Sequence, residues 1–170
     1  GAIIDSIREL DWAPRSLRKK SKDLEKVYSE LENELGHAAT DEQVASRMGI
    51  TVEELNKTLQ EVNMSTMISL EDYLEQNYET GFDAVNEGDD LIPEKRIEVL
   101  EIKDILAESI NKLPEKEKMV VSLYYFEELT LKEISAIMKV SESRISQLHT
   151  KAILRMRAKL ERQKYLLLGS

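Results

Sequence analysis

The sequence predicts an all-α chain: two small helical domains with helix-turn-helix units, joined by an acidic linker. Three observations lead there. Apolar residues recur at helical spacing through most of the 170 residues, while strand-type alternation is nearly absent and aromatics are only 5% of the chain. Thr40-Asp41-Glu42-Gln43, Thr51-Val52-Glu53-Glu54 and Thr130-Leu131-Lys132-Glu133 each carry the reciprocal capping pattern that opens a helix. Residues 61–92 contain nine acidic side chains and no basic one.

The elements follow in order. Ile3, Ile4, Ile7 and Leu10 lie at helical spacing in a segment with no N-cap, which predicts a fragment of a longer protein. Pro14 ends that segment, because proline disfavours helical geometry in the residue before it. Ser16 then reads as the cap of a helix with Leu24, Val27, Leu31 and Leu35 on one face, stopped by Gly36. Two short helices follow over 40–61, with Gly49 in the turn between them. Residues 65–92 lose the period and carry Gly81, Gly88 and Pro93, so they read as linker, with room for a short helix at 70–78. Residues 94–111 form a helix with Ile97, Leu100, Ile105 and Ile110 apolar. Pro114 opens another at its first position, running to Phe126. Ser141 caps the last helix, which reaches about Lys164.

Composition excludes several classes of function. There is no cysteine, so disulfides, thiol catalysis and Cys-ligated zinc are out. No Gly-rich cluster offers a phosphate loop, and His37 and His149 are far apart. No apolar run is long enough for a membrane span, and no secretory pattern is present. Nothing calls for a metal or a cofactor, and no convergent catalytic group appears.

Charge is more informative. The net −9 hides two basic clusters around the acidic middle. Arg15, Arg18, Lys19, Lys20 and Lys22 form one, and residues 139–164, with eight basic and two acidic side chains, hold the other. Both overlie helix patterns that point toward nucleic acid.

Two stretches fit the helix-turn-helix pattern, in which apolar residues at fixed offsets and a small residue allow two short helices to cross closely. In residues 131–150 the fit is Ile134, Ser135, Met138, Lys139, Val140, Ile145 and Leu148, with Lys139 where glycine is usual. In residues 41–60 it is Val44, Ala45, Met48, Gly49, Ile50, Leu55 and Thr58. Charge separates the two. Arg144, Gln147, Lys151 and Arg155 recur at steps of 3, 4 and 4 and share one helix face. Arg and Gln pair with guanine and adenine edges in the major groove, and the cations that follow suit phosphates. Ile145, Leu148, Ala152 and Met156 share the adjacent face, to pack on the preceding helix. The second helix of the other unit carries Glu53, Glu54 and Glu61 against Lys57, which repels phosphate.

Three runs then carry a family resemblance. They are Gly1-Ala2-Ile3-Ile4-Asp5 with Asp11-Trp12-Ala13-Pro14-Arg15-Ser16; Leu113-Pro114-Glu115-Lys116-Glu117-Lys118 through Leu123-Tyr124-Tyr125; and Glu127 through Ile134 followed by Ser143-Arg144-Ile145-Ser146-Gln147-Leu148-His149. Over essentially its whole length the chain resembles the C-terminal part of a sigma-70 family RNA polymerase sigma factor, of the flagellar or motility class. The resemblance implies a layout: residues 1–64 as the third domain with the end of the −10-reading helix, 65–92 as the acidic linker threading the polymerase, and 93–170 as the fourth domain. It implies −35 contacts from Glu142, Ser143, Arg144, Ser146, Gln147, Lys151 and Arg155 on helix 142–163. It also implies contacts with extended −10 DNA from Arg15, Ser16, Arg18 and Lys19. Primary sigma factors carry more arginine where Glu142 and Ser146 stand here, so the preferred promoter would differ.

The implied partners are core RNA polymerase, promoter DNA and an anti-sigma factor, in the cytoplasm and with no membrane. His149 reads as a polar surface residue and Trp12 as a packing residue, while Leu123, Tyr124, Tyr125 and Phe126 divide between core and surface. A stand-alone helix-turn-helix regulator is the alternative, although no heptad seam for a dimer is visible. A pure protein-interaction scaffold is the third reading.

Overall fold

Pro14 fixes where the first described helix begins. In the computed structural model, which describes residues 13–78 and 93–169, the Pro14 carbonyl accepts from the N–H groups of Leu17 and Arg18. Helix α1 therefore spans Arg15–Leu35, with Pro14 as its cap, two residues ahead of the expected Ser16 cap. Gly36, at φ 73°, closes it in the left-handed conformation that glycine adopts without a Cβ clash. The helix expected over 2–10, Trp12, and the linker carboxylates Glu79, Asp83, Glu87, Asp89 and Asp90 lie outside the described residues.

Helix α2 (Asp41–Met48) begins with the full capping box: Gln43 N–H donates to Thr40 Oγ1, and Thr40 N–H donates to Gln43 Oε1. Gly49, at φ 70°, makes the turn into α3 (Val52–Asn77). Leu24, Tyr28, Leu31, Val44, Ala45, Leu55 and Leu59 close a first core among these three helices. Leu59, not Thr58, fills the last helix-turn-helix position, because Leu55, Leu59 and Val62 lie on one face of α3.

Residues 65–77 correct the linker assignment. They are the last turns of α3, and Leu70 and Leu74 are fully buried there. Their partners are Ile102, Leu113, Val121, Ala152, Ile153, Met156 and Leu160, so the end of α3 builds a core with the second half of the chain. The boundary expected at residue 64 falls inside one continuous 26-residue helix. The intervening Glu71, Asp72 and Glu75 masked its apolar stripe in the sequence.

Helix α4 spans Pro93–Asn111. Val99 and Ile102 are buried, while Ile97 and Leu100 are exposed, so the inward face is displaced from the one expected. Pro114 is the N-cap of α5 (Glu115–Val121), one position before its expected place. A π-helical turn over Ser122–Phe126 follows. Helix α6 (Leu131–Met138) has its own capping box from Thr130 and Glu133, and α7 runs from Glu142 to Gly169, past the expected end at Lys164. Lys139 adopts φ 58° in the turn between them. Ile134, Ile145 and Leu148 close the third core with Val120, Leu123, Met138 and Val140. Ala152 and Met156 instead join the core that α3 completes.

The described secondary structure is entirely helical. No described helix is long and apolar enough to cross a membrane.

Candidate nucleic-acid interface

Helix α7 places the expected base-reading side chains on one face, and α3 and α1 cover that face. Ser141 caps the helix by accepting from Arg144 N–H at 3.2 Å. From that start Ser143, Arg144, Ser146 and Gln147 are all buried, with Arg144 7% and Gln147 5% exposed. Residue spacing does not say what covers this face; the tertiary arrangement closes it. Glu142 alone of the five is exposed.

The cover is chemically matched. Glu25, Tyr28 and Glu32 lie on one face of α1. Arg144 forms an ion pair with Glu32, Nε lying 2.9 Å from one carboxylate oxygen, and donates to the other through Nη2 at 3.2 Å. Its guanidinium also lies over the Tyr28 ring, 5.0 Å from the centroid, and donates to Gln147 Oε1. Gln147 Nε2 donates to Glu25 at 2.6 Å, and Lys151 Nζ reaches the same carboxylate at 2.7 Å. Ser143 Oγ donates to Asp41 at the start of α2, and Tyr28 donates its hydroxyl to Ser143 at 2.7 Å. Burial pushes the Tyr28 hydroxyl up to about 12, so it remains a donor. Carboxylates and a phenol thus meet the guanidinium, amide, amino and hydroxyl groups of this face.

A second group of polar contacts joins α3 to α7. Asn63 donates through Nδ2 to Ser146 Oγ, and its Oδ1 accepts from Thr150 Oγ1 at 2.6 Å and from His149 Nδ1 at 3.1 Å. Nδ1 therefore carries the proton, and Nε2 accepts from the Tyr125 hydroxyl at 2.8 Å. His149 is buried, contrary to its expected surface position, with Tyr124 and Tyr125 beside its ring. Burial lowers its pKa to about 4 and keeps it neutral. The π-turn brings Tyr124 and Tyr125 to this group and leaves Phe126 70% exposed.

Arg155 stands apart from the α1 contacts. It pairs through Nε with Glu117 of α5 at 2.8 Å, and that carboxylate is almost wholly buried. Arg15, Ser16 and Lys19 are exposed at the start of α1, while Arg18 is half-buried and donates to the Ala13 carbonyl at 3.0 Å. No acidic residue occupies that first turn, so these cations sit at the positive end of the helix dipole.

Sequence reasoning missed Glu25, Tyr28, Glu32, Asp41 and Asn63. The spacing of Glu25, Tyr28 and Glu32 was visible, but acidic residues on a surface helix usually face solvent. Asn63 gave no signal by itself. Among the described residues, no group of acidic and histidine side chains is arranged to hold a metal ion.

Residues 19–82 match the family described as Sigma-70 region 3, and residues 109–158 match Sigma-70, region 4. The chain is 39% identical over 160 residues to RNA polymerase sigma factor FliA of Yersinia enterocolitica, covering 94% of this chain and 70% of that protein. It is 37% identical over 164 residues to RNA polymerase sigma-D factor of Bacillus subtilis strain 168, covering 95% of this chain and 65% of that one. It resembles the solved flagellar sigma/anti-sigma complex Sigma-28/FlgM at a TM-score of 0.71 and 36% identity, over 95% of this chain and 66% of that one. With two region matches and relatives at this identity and coverage, the chain belongs to the sigma-70 family of RNA polymerase sigma factors, in its flagellar branch.

Proposed function

We propose that this chain gives promoter recognition to bacterial RNA polymerase at flagellar genes, and that the structure captures its −35 reader closed. The observation carrying this reading is the face of α7. Arg144, Gln147 and Lys151 present groups suited to bases and phosphates, and all three are met by carboxylates of α1. A face evolved only for structural packing has little use for so many charged groups. The role is binding and not catalysis. Its partners are core RNA polymerase, promoter DNA and an anti-sigma factor; the related solved structures are flagellar sigma/anti-sigma complexes. The place of action is the cytoplasm.

In this reading α1–α3 form the third domain and α4–α7 the fourth, with the end of α3 serving both. Glu142, Ser143, Arg144, Ser146 and Gln147 face the −35 bases after opening, and Lys151 and Arg155 face phosphates. Arg15, Ser16, Arg18 and Lys19 face extended −10 DNA. Arg144→Ala in a complete factor is expected to cost about 1–3 kcal/mol at one −35 base position. Lys151→Ala is expected to weaken binding across sequences and lower the salt slope by about 0.9. Unchanged base preference in Arg144→Ala, measured across a −35 mutant series with polymerase, removes the assignment. An independent regulator would bind such duplexes tightly without polymerase.

A further inference from the structure

The cationic stripe of α7 does not stop at Arg155. Lys159 and Arg162 follow at steps of 4 and 3, on the face already carrying Arg144, Gln147 and Lys151. The carboxylates of α1 cover only the first part. Beyond them, Lys112 at the end of α4 joins Arg155, Lys159 and Arg162 around an open cleft of about 390 Å³. Leu113 and Ala158 form its apolar walls, and no carboxylate lines it.

Local compensation is incomplete. Glu117 neutralises Arg155 at 2.8 Å. Glu108 serves two amines through one oxygen, Lys112 at 3.0 Å and Lys159 at 3.8 Å. Arg162 has no ion-pair partner among the described residues. Four cations therefore share two carboxylates. The neighbouring Lys112 amino group holds Lys159 below the usual lysine range, and burial and Arg162 act in the same direction, against Glu108. Crowded cations around a hollow are stabilised by an oxyanion, which accepts from several donors at once. The cleft is open in the closed arrangement, unlike the base-reading face.

We propose that the cleft bounded by Lys112, Arg155, Lys159 and Arg162 binds a phosphate oxyanion, supplied by the backbone of duplex DNA while the base-reading face is still closed. The phosphate chemistry stands on the cleft alone; its duplex source rests on the promoter-binding reading above. A closed factor that grips backbone through this cleft is held on DNA without reading sequence.

The test uses this chain with labelled methyl groups, titrated with inorganic tripolyphosphate and, separately, with a short random-sequence duplex. Both are expected to shift the Leu113 and Ala158 methyl resonances. The double variant Lys159→Gln/Arg162→Gln is expected to weaken tripolyphosphate binding by about tenfold or more and to lower the salt slope of duplex binding by about 1.8. Lys159→Arg is expected to retain binding, and Glu108→Gln, which removes the competing carboxylate, to tighten it severalfold.

Absence of methyl shifts with tripolyphosphate overturns the site. Equal weakening by Lys26→Gln, an exposed α1 lysine that does not line the cleft, also overturns it, because the effect is then overall charge. A tripolyphosphate response without any loss of duplex affinity in the double variant overturns the DNA source and assigns the cleft to a soluble phosphate compound. Failure of the tripolyphosphate arm leaves the Arg144 test untouched. Failure of the Arg144 test with an intact tripolyphosphate arm removes only the promoter reading.

Discussion

Replacing Glu32 by alanine isolates the contact that closes the reader. Arg144 is buried, pairs with this carboxylate through Nε at 2.9 Å and donates a hydrogen bond to it through Nη2 at 3.2 Å. Removing one partner of a buried pair costs about 3–5 kcal/mol, because the remaining charge stays desolvated. Glu25 still stands 3.9 Å from the guanidinium, and the Tyr28 ring still faces it. These put the cost at the lower end, about 3 kcal/mol, which shifts the closed-to-open ratio by roughly a hundredfold. The chain has no cysteine, so a single Ser146→Cys change gives a reporter at a position buried in this closed arrangement, which opening is expected to expose. Its thiol modification rate is expected to rise roughly a hundredfold when Glu32→Ala is added. The control is Glu30→Ala, whose carboxylate lies on the same helix but makes only exposed contacts with Lys26 and Arg47. A rate for Glu32→Ala no higher than that control would refute the carboxylate clamp.

Three further outcomes are expected. His149 has its pKa depressed from 6.5 to about 4 by burial, so the unfolded chain binds the extra proton first; the stability this neutral group contributes is present above pH 6.5 and lost progressively as pH falls to 4. That loss is about 3 kcal/mol in denaturant unfolding, and His149→Gln should flatten the profile in this window. Lys139→Gly should stabilise the chain by about 1 kcal/mol by relieving a left-handed residue, read as a higher Tm; a lower Tm contradicts the turn geometry. Leu74→Ala should cost about 2–5 kcal/mol, and a loss well below 1 kcal/mol would return residues 65–77 to the linker.

The local elements were legible because their signals are local. Thr40 and Thr130 announce their helices through side chains three residues from the groups they satisfy. Gly36 and Gly49 mark turns by the conformation they tolerate. Ile134, Met138, Val140, Ile145 and Leu148 converge because the second helix-turn-helix unit is a short-range packing solution. The candidate DNA face was legible as a stripe of residue types: spacing alone puts Arg144, Gln147, Lys151 and Arg155 on one side of a helix.

By itself, then, the sequence determined helix type, the starts capped by Thr40 and Thr130, the glycine turns and the chemistry of the α7 face. The tertiary structure alone decided what that face meets. Arg144 and Glu32 are 112 residues apart, as their hydrogen bond records, and nothing periodic links them. Asn63 becomes a hub only when α3 lies along α7, bringing Ser146, His149 and Thr150 to one amide. The end of α3 looked like linker because its carboxylates outnumber its leucines, yet helix geometry turns those carboxylates outward and buries Leu70 and Leu74. Periodicity shows which side of a helix is distinctive. Only the packing of distant helices shows whether that side faces solvent, a core or the carboxylates of a neighbour.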